Sequence, residues 1–117
     1  FPEAQMTALI DLATGIIARH PIPARNVVGH SDIAPGRKTD PGELFDWPRL
    51  AERGIGLWSA ESTADIVAIP EMLARFGYDP AADASLSAFQ RRFRPTRSDW
   101  QPDAKCARLL AGLLMLL

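Results

Sequence analysis

Apolar residues in the first twenty positions recur every three or four residues, which is the spacing of one helix face. These positions are Met6, Leu9, Ile10, Ala13, Ile16 and Ile17. Glu3 lies near the start of the segment and Arg19 and His20 lie near its end, an order of charges that suits the helix dipole. Pro21 and Pro23 end the pattern. The segment is therefore predicted to form one amphipathic helix.

The next segment changes from an apolar run to a turn-rich stretch. Residues 26–29 form a short apolar run that predicts a buried strand with His30 at its end. Residues 31–46 are rich in Asp, Gly and Pro and have no periodicity, which indicates an ordered or functional loop. Trp47 and Pro48 begin a short helix that is predicted to stop near residue 54.

The second half of the chain predicts helices only. Residues 54–60 contain two glycines and no charge, which is typical of a connector, so we expect a boundary near residue 60. Three helices are predicted beyond it, at about 65–76, 83–93 and from 102 to the C-terminus. Pro70 is expected to kink the first of them or to mark its start.

The predicted helices share apolar positions that can form a small core. These positions are Leu73, Phe76, Leu86, Phe89 and Phe93. Cys106, the single cysteine, is expected to be a small core residue, and it excludes a disulfide framework or a multi-thiolate zinc site within the chain. The leucine-rich end, residues 109–117, is expected to close the bundle and is too short to span a bilayer.

Composition narrows the class of protein. The 117 residues are 47% hydrophobic and carry 13 Lys and Arg against 14 Asp and Glu, which indicates a soluble, nearly neutral chain without a basic nucleic-acid arm or an acidic tail. Arg91, Arg92, Arg94 and Arg97 could form a basic patch with neighbouring aromatic residues, but solvated surface cations are the favoured interpretation. The chain opens with Phe1, without an initiator methionine or a leader, so we expect a fragment.

The loop after the predicted strand carries the candidate chemistry. His30, Lys38 and Asp40 bring an imidazole, an ammonium and a carboxylate together between turn residues, an inventory compatible with a hydrolytic zinc site. A hydrogen-bonded structural histidine and a solvated lysine are the alternatives. Asp32 is expected either to orient His30 or to form an Asx turn.

The run GHSDIAPGRKTDPG, followed by LFDW, resembles the C-terminal half of the zinc-dependent type 2 N-acetylmuramoyl-L-alanine amidases, and the likeness covers Phe1 to about Ala51. The resemblance implies an α/β domain with a partial mixed sheet over residues 1–59. It implies hydrolysis of the amide between N-acetylmuramic acid and L-alanine in peptidoglycan. His30 and Asp40 would be Zn²⁺ ligands, and Lys38 would face the substrate carbonyl and stabilise its oxyanion.

The family pattern also needs a second histidine ligand and an acidic base, and the resemblance places both upstream of Phe1. His20 is not expected to replace the missing ligand, because a histidine at a helix end usually binds terminal carbonyls. Glu3 is not expected to replace the missing base, since its acidity alone does not assign it that role. We therefore expect this chain alone to bind zinc weakly and to be inactive. The remaining half of the site could also belong to a separate chain.

Residues 60–117 resemble a second family through the segments FGYD and AFQRRFRP. They are similar to the all-α, three-helix peptidoglycan-binding domain that is often appended to such amidases. The implied partners are peptidoglycan and muropeptides, and the implied location is the cell envelope of a Gram-negative bacterium, in the periplasm or at the outer membrane. Tyr78 and Trp100 are candidates for stacking on a sugar, although packing is the more frequent role. The alternative function is a non-catalytic peptidoglycan-binding module.

Overall fold

A computed structural model describes residues 1–96 and 101–117. Its helices are α1 (Glu3–Arg19), α2 (His30–Ile33), α3 (Trp47–Glu52), α4 (Ile69–Phe76), α5 (Ser85–Phe93) and α6 (Ala104–Leu114), with one 3-10 turn at Ala24–Asn26. Within these two described stretches the structure contains helices, turns and extended segments but no β-strand.

The expected α/β class with a partial mixed sheet is therefore wrong for the part of the chain that the structure describes. Val27 does have extended backbone angles, with φ −89° and ψ 104°. A strand also needs the ladder hydrogen bonds of a neighbouring strand, and no second extended segment pairs with this one among residues 1–96 and 101–117. His30 accordingly begins the short helix α2 instead of ending a strand.

The first region of the chain packs α1 against α3. Five hydrophobic side chains are buried in this first core: Met6, Ile10, Trp47, Leu50 and Ile55. Leu9, Ala13 and Ile17, which the helical pattern of α1 predicts to face inward, are partly buried against it. The amphipathic interpretation of α1 is thus confirmed for the residues that meet α3.

The second region packs α4, α5 and α6 around a larger core. Its buried residues are Met72, Leu73, Tyr78, Ala88, Phe89, Phe93, Cys106, Leu109, Leu110, Ala111 and Leu113. Leu73, Phe89 and Phe93 are buried and Phe76 and Leu86 are partly buried, so the predicted core positions are confirmed. Helix α4 starts one residue before Pro70, since proline is tolerated in the first turn, where its missing N–H costs no hydrogen bond.

The end of the segment predicted as a connector, together with the residues that follow it, is packed along α6. Ser62 N–H donates to the carbonyl of Arg108 at 3.0 Å, and Ser59 Oγ donates to the carbonyl of Leu109 at 2.6 Å. A Cβ at Gly112 would overlap the carbonyl of Ala60, so glycine allows this close approach. Trp58 packs against both cores. The two cores therefore lie next to each other, with Trp58 at their common boundary.

Among the described residues, none of the helices has the length and apolar character needed to cross a bilayer.

Candidate functional site

The backbone brings His30 and Asp40 to one place. Ser31 N–H donates to the carbonyl of Asp40 at 2.9 Å. The adjacent residues Gly29 and Pro41 also meet, because a Cβ built on Gly29 would lie only 2.8 Å from Pro41 Cδ. Glycine is therefore needed at position 29, where the two chain segments approach too closely for a side chain.

The two side chains form a pair on the surface. His30 Nδ1 lies 3.2 Å from Asp40 Oδ2, and the side chains are 47% and 63% exposed. Two ligands of a tetrahedral zinc ion, each about 2.0–2.1 Å from the metal, lie about 3.3 Å apart. The observed separation fits that edge, and imidazole nitrogen and carboxylate oxygen are both zinc donors. The pair can therefore supply two ligands to one ion that enters from solvent.

His20 and Glu3, the other histidine and the acidic residue near the start of the chain, do not join this pair. Among residues 1–96 and 101–117 there is no group of three His, Cys, Asp or Glu side chains that could hold a metal. His20 lies exposed at the end of α1, where its N–H donates to the carbonyl of Ile16 at 2.8 Å. Both oxygens of Glu3 accept from Arg49 at 2.7 Å, and this pairing lowers the pKa of Glu3.

Lys38 lies exposed on the turn that follows α2. The backbone N–H groups of Arg37 and Lys38 both donate to the carbonyl of Ala34 at 3.0 Å, which anchors the turn to the end of α2. The structure thus places Lys38 in the segment that connects α2, which begins with His30, to Asp40. Its catalytic role stays a prediction.

Asp32 has a role that the sequence interpretation missed. The residue is 8% exposed, and its carboxylate accepts from Gly29 N at 2.7 Å, from Tyr78 Oη at 2.6 Å and from Arg92 Nη1 at 2.9 Å. Only the bond to Gly29, three residues away, resembles the expected local turn. The other two donors come from the second region of the chain, and no local pattern points to them. Burial, followed by the charge of Asp32, raises the pKa of Tyr78.

Most of the aromatic and basic candidates of the second region are engaged in contacts within the protein. Tyr78 is only 4% exposed, so its ring is unavailable for stacking on a sugar. Arg92 pairs with Asp32, and its guanidinium carbon lies 3.8 Å from the centre of the Trp47 ring. Arg94 Nη1 donates to Asp103 Oδ2 at 2.6 Å, and Arg91 lies 3.6 Å from Glu43. Arg97 and Trp100 lie outside the described residues. Three of the four arginines thus face carboxylates, which weakens the nucleic-acid interpretation.

A cavity of about 300 Å³ lies where the two regions meet. Its wall includes Arg25, Val28 and Ile33 from the first region and Phe76, Tyr78 and Arg92 from the second. Asp32 lines the same cavity, so the polar contact between the regions lies beside open space.

Comparison with known proteins supports the resemblance that the loop motif carries. Residues 1–43 match the family described as N-acetylmuramoyl-L-alanine amidase. The chain is 41% identical to N-acetylmuramoyl-L-alanine amidase AmiD of Escherichia coli strain K12, over 97% of this chain and 49% of AmiD.

Two solved structures share the arrangement of the helices. One is the complex of AmiD from E. coli with the substrate anhydro-N-acetylmuramic acid-L-Ala-D-gamma-Glu-L-Lys, with a TM-score of 0.87 and 41% identity over 99% of this chain and 53% of that chain. The other is AmpDh3 from Pseudomonas aeruginosa in complex with anhydromuramic pentapeptide, with a TM-score of 0.88 and 36% identity over 99% of this chain and 54% of that chain. The chain spans about half the length of these relatives.

Proposed function

We propose that this chain contributes two ligands of a catalytic zinc site to an N-acetylmuramoyl-L-alanine amidase that acts on muramyl peptides of peptidoglycan. The observation that carries the proposal is the 3.2 Å separation of His30 Nδ1 and Asp40 Oδ2, which fits one edge of a zinc tetrahedron. The likeness to AmiD over 97% of the chain supports the same reaction class.

Each residue of the loop has a role that suits its chemistry. His30 and Asp40 would hold the ion, which when bound supplies an activated water near neutral pH. Lys38, exposed on the adjacent turn, would donate to the amide carbonyl oxygen as negative charge develops on it. The buried contacts behind α2 would keep the loop in place while substrate binds from solvent.

A complete site needs more than this pair. A catalytic zinc site usually has three protein ligands and a water, so we infer that a third ligand and an acidic base lie outside the described residues. They could belong to the same polypeptide or to a separate chain. Alone, this chain is expected to bind zinc weakly and to lack turnover. We place the complete protein in the cell envelope of a Gram-negative bacterium, in the periplasm or at the outer membrane, where peptidoglycan is accessible.

Calorimetric titration of the chain with zinc chloride tests the proposal. His30→Ala and Asp40→Asn are expected to abolish zinc binding. The matched controls His20→Ala and Asp11→Asn alter exposed residues of the α1 segment and are expected to leave it unchanged. Equal binding in the unaltered chain and in His30→Ala would overturn the proposed site.

Lys38 can be separated from the ligands by the same titration. Lys38→Ala is expected to bind zinc like the unaltered chain, because its role concerns the substrate and not the metal. Lys105→Ala, an exposed lysine of α6, is the matched control. We refer to residues 29–41 as the metal loop. Loss of zinc binding in Lys38→Ala alone would mean that Lys38 maintains the structure of this loop.

A second candidate function is a non-catalytic peptidoglycan-binding module in residues 60–117. The observation in its favour is a cavity of about 260 Å³ in this region, lined by residues that include Leu73, Asp79 and Asp83. Co-sedimentation of the whole chain with purified sacculi distinguishes the two. Binding that survives His30→Ala would indicate the helical region, whereas binding that the substitution removes would indicate the metal loop.

A further inference from the structure

Helix α2 is a single turn that carries His30 as its first residue. So short a helix has little stability of its own, because the first turn fixes several residues for one hydrogen bond. Its geometry must come from contacts outside its own backbone. The strongest of these contacts involve Asp32, two residues after His30.

The Asp32 carboxylate connects α2 to the second region. One oxygen accepts from Gly29 N at 2.7 Å and from Arg92 Nη1 at 2.9 Å, and the other accepts from Tyr78 Oη at 2.6 Å. Gly29 is the residue directly before His30, so this carboxylate holds the backbone that leads into the candidate ligand. The partners Tyr78 and Arg92 lie 46 and 60 residues further along the chain.

The donors are themselves held firmly. The Arg92 side chain is 4% exposed and lies between the Asp32 carboxylate and the Trp47 ring. Tyr78 is 4% exposed and packs edge to face against Phe89, with ring centres 6.3 Å apart. Aromatic and stacked contacts of this kind restrict the rotamers of both donors. Asp32 is therefore bound by two buried donors that are both packed against aromatic rings.

We propose that Tyr78 and Arg92 are positioning residues for the metal ligand His30 and act through Asp32. We refer to Asp32, Tyr78 and Arg92 as the clamp. The helical region thereby sets the geometry of the metal loop, in addition to any part that it has in binding the cell wall. This inference rests on the proposed function, because it assigns His30 to a zinc ion.

Tyr78→Phe is the sharpest variant, since it removes one hydroxyl and leaves the buried ring in place. A hydrogen bond to a charged group contributes enough that its loss should accelerate amide exchange of residues 29–33 about tenfold. Exchange in the core of α1 and α4 should not change. Arg92→Lys, which keeps the charge and loses the planar contact with Trp47, should show an intermediate effect, while Arg75→Gln on the exposed side of α4 is the control.

Zinc binding by the same variants tests the role of the clamp in the metal site. With zinc chloride as the titrant, Tyr78→Phe is expected to weaken binding about fivefold while the melting transition stays cooperative. Visible absorption of the chain loaded with cobalt(II) should also change in Tyr78→Phe and remain the same in Arg75→Gln, because it reports the ligand geometry.

The outcomes are distinct. Faster exchange of residues 29–33 with weaker zinc binding supports the clamp. Unchanged exchange, or faster exchange with unchanged zinc binding and an unchanged cobalt spectrum, overturns it. Absence of His30-dependent zinc binding in the unaltered chain overturns the proposed function instead, and the positioning role falls with it.

Discussion

The two regions of the chain differ in how they bury their side chains. The first core holds five buried hydrophobic residues, whereas the second holds eleven. The candidate site nevertheless lies in the first region, on an exposed loop. The buried carboxylate of this segment, Asp32, accepts two of its hydrogen bonds from the second region. We therefore infer that the geometry of this exposed loop depends on contacts with the more extensively packed second region.

The carboxylate that joins the regions is expected to give the largest effect. Asp32→Ala would leave Arg92 buried without its anion, and loss of one partner of a buried pair costs about 4 kcal/mol. We expect a loss of this order in the free energy of unfolding, measured by urea denaturation. Asp11→Asn, which alters an exposed carboxylate of α1, should be close to neutral. A loss below about 1 kcal/mol would show that the regions are not coupled through Asp32.

Matched Leu→Ala substitutions in the two cores measure which core is packed more tightly. Leu110→Ala removes a fully buried side chain from the larger core, and Leu50→Ala removes one that is 3% exposed from the smaller core. Leu→Ala changes in cores typically cost about 2–5 kcal/mol, and more where the surroundings cannot collapse. We expect Leu110→Ala to be the more destabilising by thermal unfolding. The opposite order would mean that the first core is the more rigid.

Low pH should destabilise the second region, because it protonates Asp103, the N-cap of α6. Its carboxylate accepts from Arg94 and from Cys106 N, and the hydrogen bond from Arg94 is the main reason why its pKa is lowered. A lowered pKa in the folded state means that the stabilisation is present above about pH 3.8, the ordinary value, and is lost as the pH falls below it.

Asp103→Asn should therefore reduce the pH dependence of the melting temperature between about pH 2 and 5. At neutral pH it should cost less than about 1 kcal/mol, because asparagine caps a helix about as well as aspartate and only the partly exposed ion pair with Arg94 is lost. Asp46, the N-cap of α3, provides a comparison in the first region through Asp46→Asn. An acid limb that is unchanged by Asp103→Asn would contradict the predicted role.

The smallest effect is expected at the pair of Glu3 and Arg49, which links α1 to α3 on the surface. Exposed ion pairs contribute little because water and salt screen them. Glu3→Gln should shift the melting temperature only marginally, and less in high salt. It should also leave zinc binding unchanged, since Glu3 is engaged by Arg49 and not by the loop. A loss of zinc binding would reopen a role for Glu3 in the site.

Much of the helical structure could be predicted from local patterns. The amphipathic spacing locates α1, and the proline at position 70 marks the start of α4. The second core was predicted from Leu73, Phe89 and Phe93 because helical spacing places them on inward faces. The prediction of a strand at residues 26–29 was wrong, because extended backbone is a local property, whereas a strand depends on a neighbouring strand with which it pairs.

The candidate site could likewise be predicted only in part from the sequence. The sequence points to three candidate residues, because one short segment rich in turn residues contains an imidazole, an ammonium and a carboxylate. These residues are His30, Lys38 and Asp40. Their spacing could not show that Gly29 and Pro41 touch, or that His30 Nδ1 and Asp40 Oδ2 come within 3.2 Å. That closeness depends on how the loop folds back on α2.

Periodicity, proline stops and turn residues determine the positions of the helices and of the polar loop, because these preferences act over a few neighbouring residues. The contacts of Asp32 with Tyr78 and Arg92, and of residues 59–62 with α6, could not be predicted from local patterns and become visible in the folded chain. Such contacts join residues about fifty positions apart, and their free energy comes from burial and pairing that exist only after the two cores have packed.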